Sequence, residues 1–168
     1  MKKNPLNSPK SRNPKSVQPK SLSAQIVGVI CGLIIGVIVV SIIEKLGHVI
    51  YPPAGEIDFA EPDSLARFIE SLSLGAFFFV LAAHGLGSFS GAFAIFLFVK
   101  QKWWTGPIII GAILGVAGAI NLVLLPHPKW FMAIDMLLYL PMAILGGWCG
   151  MATIARPAEL TLAEKDIG

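Results

Sequence analysis

The sequence predicts an all-α, polytopic membrane protein with four transmembrane helices in a compact bundle. Of its 168 residues, 55% are hydrophobic and only 14% are charged, whereas a soluble domain carries about a quarter charged residues. The apolar residues are concentrated in four runs, each of about 20 residues or more, which is enough to cross a bilayer core. The charges lie mainly in the tails and short connections and leave long runs almost free of them, as expected when a charge at the bilayer centre costs roughly 2.5–3.5 kcal/mol.

Three regions follow from this pattern. Residues 1–22 form a disordered basic tail with six basic residues, no acid and three Pro-Lys-Ser repeats, a composition that cannot bury a core. Residues 23–156 form the transmembrane domain, and residues 157–168 form a short cytoplasmic tail. The predicted spans cover about 23–50, 73–99, 106–125 and 130–154.

The connections support these boundaries. Tyr51-Pro52-Pro53 ends the first span, and the stretch DSLARFIESL then places Leu65, Phe68, Ile69 and Leu72 at helical spacing. We expect a short amphipathic helix at the membrane interface before the second span.

The Lys and Arg residues predict the orientation. Six lie in the tail, two in the 100–102 loop and two after the fourth span, so ten lie on one side and three on the other. The positive-inside rule then places both termini in the cytoplasm. The basic tail is expected to contact anionic lipid. Nucleic-acid binding is disfavoured, because no aromatic residue interleaves with the tail lysines.

Glycines recur on the predicted spans. Small residues let helix backbones approach closely in lipid, so these positions predict helix packing and a glycine face for a membrane-protein partner or a second copy. The packing glycines are Gly28, Gly32, Gly36, Gly87, Gly91, Gly111 and Gly115.

Polar residues gather at the outer ends of the spans. They are Glu44, His48, Asn121, His127 and Asp135. One interpretation is a site for a metal ion, a proton relay or a polar head group. The other is interfacial anchoring, in which these side chains reach the head groups. No HExxH or comparable spacing identifies a metal, and no cofactor is predicted.

His84 lies alone near the middle of the second span. We expect it to bond to a neighbouring backbone carbonyl, or to Asn121 if the two depths match. Haem b usually needs two deep histidines, and the sequence offers no second one.

The fragments EKLGHVIYPP, LPHPKWF and LYLPMAILGG occur in that order. They resemble a group of uncharacterised small bacterial integral membrane proteins with four helices. The resemblance covers about residues 25–150. It implies the fold and a bacterial inner-membrane setting, but no activity.

Three function classes remain open, and none has a predicted catalytic residue, because no Walker lysine loop, GxSxG or CxxC is present. The leading prediction is a non-enzymatic accessory or scaffold subunit. The second is a small oligomeric transporter or channel that uses Glu44, His84, Asn121 and Asp135. The third is a membrane enzyme or a lipid- or quinone-binding protein with an outer-facing site.

Overall fold

The computed structural model describes residues 21–52 and 61–165, without the side chains of residue 62 and residues 155–165. This part of the chain is helical and contains no β-strand. Its helices are α1 (Leu22–Ile50), α2 (Pro62–Ser71), α3 (Leu74–Phe98), α4 (Thr105–Leu124) and α5 (Lys129–Lys165). All except α2 are long and apolar enough to cross a membrane. The predicted all-α class with four long apolar helices is confirmed. The predicted basic tail lies outside the described residues except for its last two.

Local chemistry explains where the helices begin and end. The Ser21 hydroxyl accepts a hydrogen bond from the Ala24 N–H, and the Ser73 hydroxyl accepts one from the Ala76 N–H, as N-capping serines do. The α1 helix ends at Tyr51, after which Pro52 has no N–H to continue the ladder. The α5 helix passes the predicted end of the fourth span and continues to Lys165.

The α3 helix is the centre of the bundle. Within the most apolar stretch of α3, 61% of the residues are buried, whereas 17% are buried in the corresponding stretch of α1. It packs antiparallel to α1 on one side and parallel to α5 on the other, while α4 rests mainly on α5. We call the end that carries α2 and the α4–α5 turn the α2 end. The other end carries the α3–α4 connection.

Glycines bring α1 and α3 into backbone contact. A Cβ added at Gly32 would lie 2.6 Å from the Gly91 carbonyl oxygen, and one added at Gly36 would lie 2.9 Å from that of Gly87. The other predicted packing glycines also face neighbouring helices of the same chain: Gly28 faces Val99, Gly111 faces Ala143, and Gly115 faces Tyr139.

Two apolar clusters fill the bundle. The cluster at the α2 end contains Ile69, Phe77, Leu81, Leu122 and Phe131, and Phe68 of α2 and its C-cap residue Leu72 pack against it. The amphipathic helix α2 therefore covers this end with its apolar face. The second cluster occupies the opposite half. It contains Ala92, Ile95, Phe96, Val99, Trp103, Ile110, Leu114, Tyr139, Ala143 and Met151.

Candidate functional site

Three helices each bring one ionisable side chain to a common point inside the bundle. The His84 imidazole on α3 lies between Asp135 of α5 and Glu44 of α1. Its Nδ1 is 2.6 Å from Asp135 Oδ1, and its Nε2 is 3.6 Å from Glu44 Oε1. Asp135 is fully buried, His84 is 8% exposed, and the Glu44 side chain is 36% exposed. We call these residues, together with Tyr139, the buried polar network.

The direction of helical side chains explains this meeting. Each Cα–Cβ bond tilts toward the N-terminus of its helix. The α3 helix begins at the α2 end, so the His84 side chain reaches back toward Asp135, which lies nearer that end. The α1 helix runs the opposite way, so the Glu44 side chain tilts deeper into the bundle and approaches His84.

Tyr139 completes the network on α5. Its hydroxyl donates to Asp135 Oδ2 over 3.3 Å, and its ring stacks on the His84 imidazole with the centroids 5.3 Å apart. One helical turn beyond His84, the Ser88 side chain is fully buried. Among the described residues its Oγ has no hydrogen-bond partner.

A cavity of about 190 Å³ opens above the network at the α2 end. We call it the α2 cavity, because Phe68 and Ile69 of that helix and its C-cap residue Leu72 form one wall. Its polar lining consists of Glu44, His48, Asn121 and His127. The rest is largely apolar and aromatic, with Tyr51, Phe77, Phe79 and Phe131. A mostly apolar cavity with a few convergent polar groups is the usual form of a small-molecule site.

A second cavity of about 190 Å³ lies between α1 and α4. Val37 and Val40 line it on α1, Leu114 and Ala117 line it on α4, and His84 and Tyr139 form its inner wall. The two helices contact each other at Gly32 and Ile110, and the second cavity opens between them. We call this opening the side cleft. It shares Asn121 with the α2 cavity.

The structure brings the predicted polar residues into two adjacent layers. Glu44, His48, Asn121 and His127 line the α2 cavity. Asp135 is not with them, because it turns inward to His84. The expectation for His84 was wrong: its partners are carboxylates, not a backbone carbonyl or Asn121.

His127 forms the rim of the α2 cavity in the α4–α5 turn. Its Nδ1–H donates to the Leu125 carbonyl over 3.0 Å, and its ring stacks on Phe131 with the centroids 5.1 Å apart. Burial against these neighbours lowers the pKa of His127 below its usual value, because desolvation disfavours the charged imidazolium.

Chemically, this arrangement offers hydrogen-bond donors and acceptors to a polar head and can hold a proton at the end of the cavity. Glu44 belongs to both the α2 cavity and the buried polar network. Within the described residues, no group of three or more His, Cys, Asp or Glu side chains is arranged to hold a metal ion.

Sequence reasoning placed Tyr139 one helical turn from Asp135, but it missed Ser88 as a member of this region. It expected a carbonyl partner for His84 and grouped His84 with Glu44 and Asp135 only along the path of the transporter alternative. The sequence does contain a signal that points to the partners of His84, because an ionisable residue inside an apolar span is expected to have a charged partner. For His84, the carboxylates on the other spans were the candidates.

We compared the chain with protein-family models, with curated proteins and with solved structures, and none of the three comparisons gives a match.

Proposed function

We propose that the protein is a multi-pass protein of a bacterial inner membrane, with both termini in the cytoplasm. Large apolar side chains are exposed on every long helix, as at Ile34, Phe78, Val116 and Leu137, and lipid is the solvent that suits such a surface. The ten-to-three distribution of Lys and Arg supports the orientation. In this orientation the α2 cavity faces outward, and α2 lies at the membrane interface.

Cysteine labelling tests the orientation. Cys31 and Cys149 are replaced by serine, and a single cysteine is introduced at Glu61 or at Lys102. We expect a membrane-impermeant maleimide to label Glu61→Cys in intact spheroplasts and to label Lys102→Cys only after lysis. The reverse pattern would contradict the orientation.

We further propose that the protein binds a small membrane-soluble molecule with its polar head in the α2 cavity. One observation carries this proposal: four polar side chains line a largely apolar cavity, and one of them, Glu44, also contacts His84 of the buried His84–Asp135 pair. Isolated interfacial anchors need neither a shared cavity nor a buried partner.

Two features favour this function over the other function classes. The seven packing glycines face helices of the same chain, so they do not supply a surface for a scaffold partner. The core cluster in the opposite half consists of apolar and aromatic side chains in the described residues, which supports a polar site at one end over a polar path across the bundle.

The test is native mass spectrometry of the protein released from its own membranes, with identification of every bound molecule. We expect a small amphipathic molecule on the wild-type protein and its loss from Glu44→Gln/Asn121→Leu. The matched control is Lys45→Gln, which removes a neighbouring charge that does not line the cavity. A stoichiometric larger protein partner with no small molecule would instead support a scaffold subunit.

A further inference from the structure

The side cleft has the position and lining of a tail-binding groove. It lies between α1 and α4, its walls are mainly aliphatic, and it shares Asn121 with the α2 cavity. Its outer wall includes Val37, which is 52% exposed. In a membrane this face meets lipid, so a molecule dissolved in the bilayer can enter sideways without crossing the aqueous interface.

The size and lining of the α2 cavity indicate which kind of ligand head group it can bind. A cavity of roughly 150 Å³ with apolar walls holds a benzene ring, and the α2 cavity measures about 190 Å³. It therefore fits one ring rather than a phospholipid head with its glycerol. Phe77, Phe79 and Phe131 supply aromatic surface around that space, and rings pack well against rings in offset or edge-to-face geometry.

The charges select against an anionic head. Glu44 lines the cavity and Asp135 lies just below it, with His84 between the two carboxylates. A phosphate or a carboxylate would lie beside the Glu44 carboxylate in a poorly screened site. An uncharged ring with oxygen substituents matches the lining better, because Asn121 can donate a hydrogen bond to a carbonyl oxygen and Glu44 can accept one from a hydroxyl.

We propose that the ligand is a quinone-class molecule, with its neutral ring in the α2 cavity and its apolar tail in the side cleft between α1 and α4. This inference rests on the proposed function, since it assigns the ligand class and the entry route for the same site. It concerns binding alone and includes no electron transfer.

The test compares a benzoquinone carrying a decyl tail with the same ring lacking the tail. Binding is measured by isothermal titration calorimetry on the full-length protein in matched detergent micelles. Ala117 is exposed and lines the side cleft, so Ala117→Phe fills the cleft. Ala112 is exposed on the same helix and lines neither cavity, so Ala112→Phe is the matched control.

We expect the tailed ring to bind the wild-type protein at least about tenfold more tightly than the bare ring, because the tail buries further methylenes. Ala117→Phe should remove most of this advantage and leave the bare ring unaffected, while Ala112→Phe should behave as wild type. Val37→Phe fills the cleft from the opposite wall and keeps the test valid if Ala117→Phe does not fold.

The outcomes separate the two proposals. If neither ring binds the wild-type protein, the proposed function fails together with this ligand class. If both rings bind and the cleft variants leave the advantage of the tail intact, the head site stands and the tail route is overturned. Tighter binding of oleate than of the tailed quinone would overturn the neutral head.

Discussion

His84 Nδ1 and Asp135 Oδ1 lie 2.6 Å apart although 51 residues separate them in the chain. The carboxylate is fully buried, so the pair has little access to solvent. A buried pair of this kind adds little net stability when complete, but removal of one member is costly because the other charge or dipole is left without a partner.

We therefore expect Asp135→Leu to lower the free energy of unfolding by about 3 kcal/mol or more. Asp135→Asn should cost less, because its amide oxygen can still accept from the His84 Nδ1–H. Thermal and denaturant unfolding in detergent micelles measures both effects. The control is Glu61→Gln, which removes an exposed ion pair with Arg67 at 3.5 Å and should change stability by less than about 1 kcal/mol.

A double substitution separates lost pairing from lost volume. His84→Phe/Asp135→Leu replaces the pair with apolar groups of similar size, so we expect it to be more stable than Asp135→Leu alone. If the two substitutions are simply additive in the double-mutant cycle, the interaction between His84 and Asp135 contributes nothing, contrary to this prediction.

The contact between α1 and α3 predicts a sharp difference between two glycines. Gly32→Ala places a Cβ 2.6 Å from a backbone oxygen of α3. Backbone cannot rotate away as a side chain can, so we expect destabilisation of about 1–3 kcal/mol. Gly115→Ala is the matched control: its Cβ lies 3.6 Å from the nearest atom, Tyr139 Cβ. It should be neutral, or stabilise the helix by up to about 1 kcal/mol.

Both glycine variants are measured by thermal unfolding in the same detergent. Equal melting temperatures for Gly32→Ala and Gly115→Ala would show that the stability of the protein does not depend on the close approach of α1 and α3.

At Ser88 we predict a substitution that stabilises the protein. Its buried Oγ has no partner among the described residues, and an unsatisfied buried polar group costs about 1–3 kcal/mol. We expect Ser88→Ala to raise the free energy of unfolding by about 1 kcal/mol. The comparison is Ser90→Ala, since the Ser90 hydroxyl already donates to the Leu86 carbonyl over 2.7 Å. A loss of stability in Ser88→Ala would reveal a partner for this hydroxyl.

His127 predicts a pH dependence outside the helices. Its pKa is lower in the folded protein than in the unfolded chain, so the unfolded chain binds a proton first as the pH falls. Its contribution to stability is therefore complete above the unfolded pKa of about 6.5. It declines as the pH falls from that value toward the lower folded pKa.

His127→Phe keeps a ring against Phe131 and removes the titration. We expect the loss of melting temperature between pH 7.5 and pH 5.5 to be smaller in this variant than in the wild-type protein, with unfolding followed at both values in one detergent. His48→Phe serves as the comparison, because His48 is an exposed histidine of the same cavity. An identical pH response in His127→Phe and the wild-type protein would contradict the assignment.

The sequence predicts the helices better than it predicts their contacts. Hydropathy and turn residues locate helices to within a few positions, as for α1, predicted at 23–50 and found at Leu22–Ile50. The polar residues of the α2 cavity are also visible, because charged and amide side chains stand out in apolar runs. The contacts of His84 with its partners cannot be recognised in the sequence, because they depend on the relative direction and stagger of three helices. The side cleft lies between α1 and α4, which are distant in the sequence, so no local pattern records it.

The buried polar network also has a consequence for biosynthesis. Chains emerge N-terminus first, so His84 is made while α5 does not yet exist. At that stage Glu44, 40 positions earlier (84 − 44) on α1, is the partner already available to it, and Asp135 arrives only after another 51 residues. Glu44 can therefore pair with His84 before α5 has been made, whereas the His84–Asp135 hydrogen bond can form only after Asp135 has been synthesised.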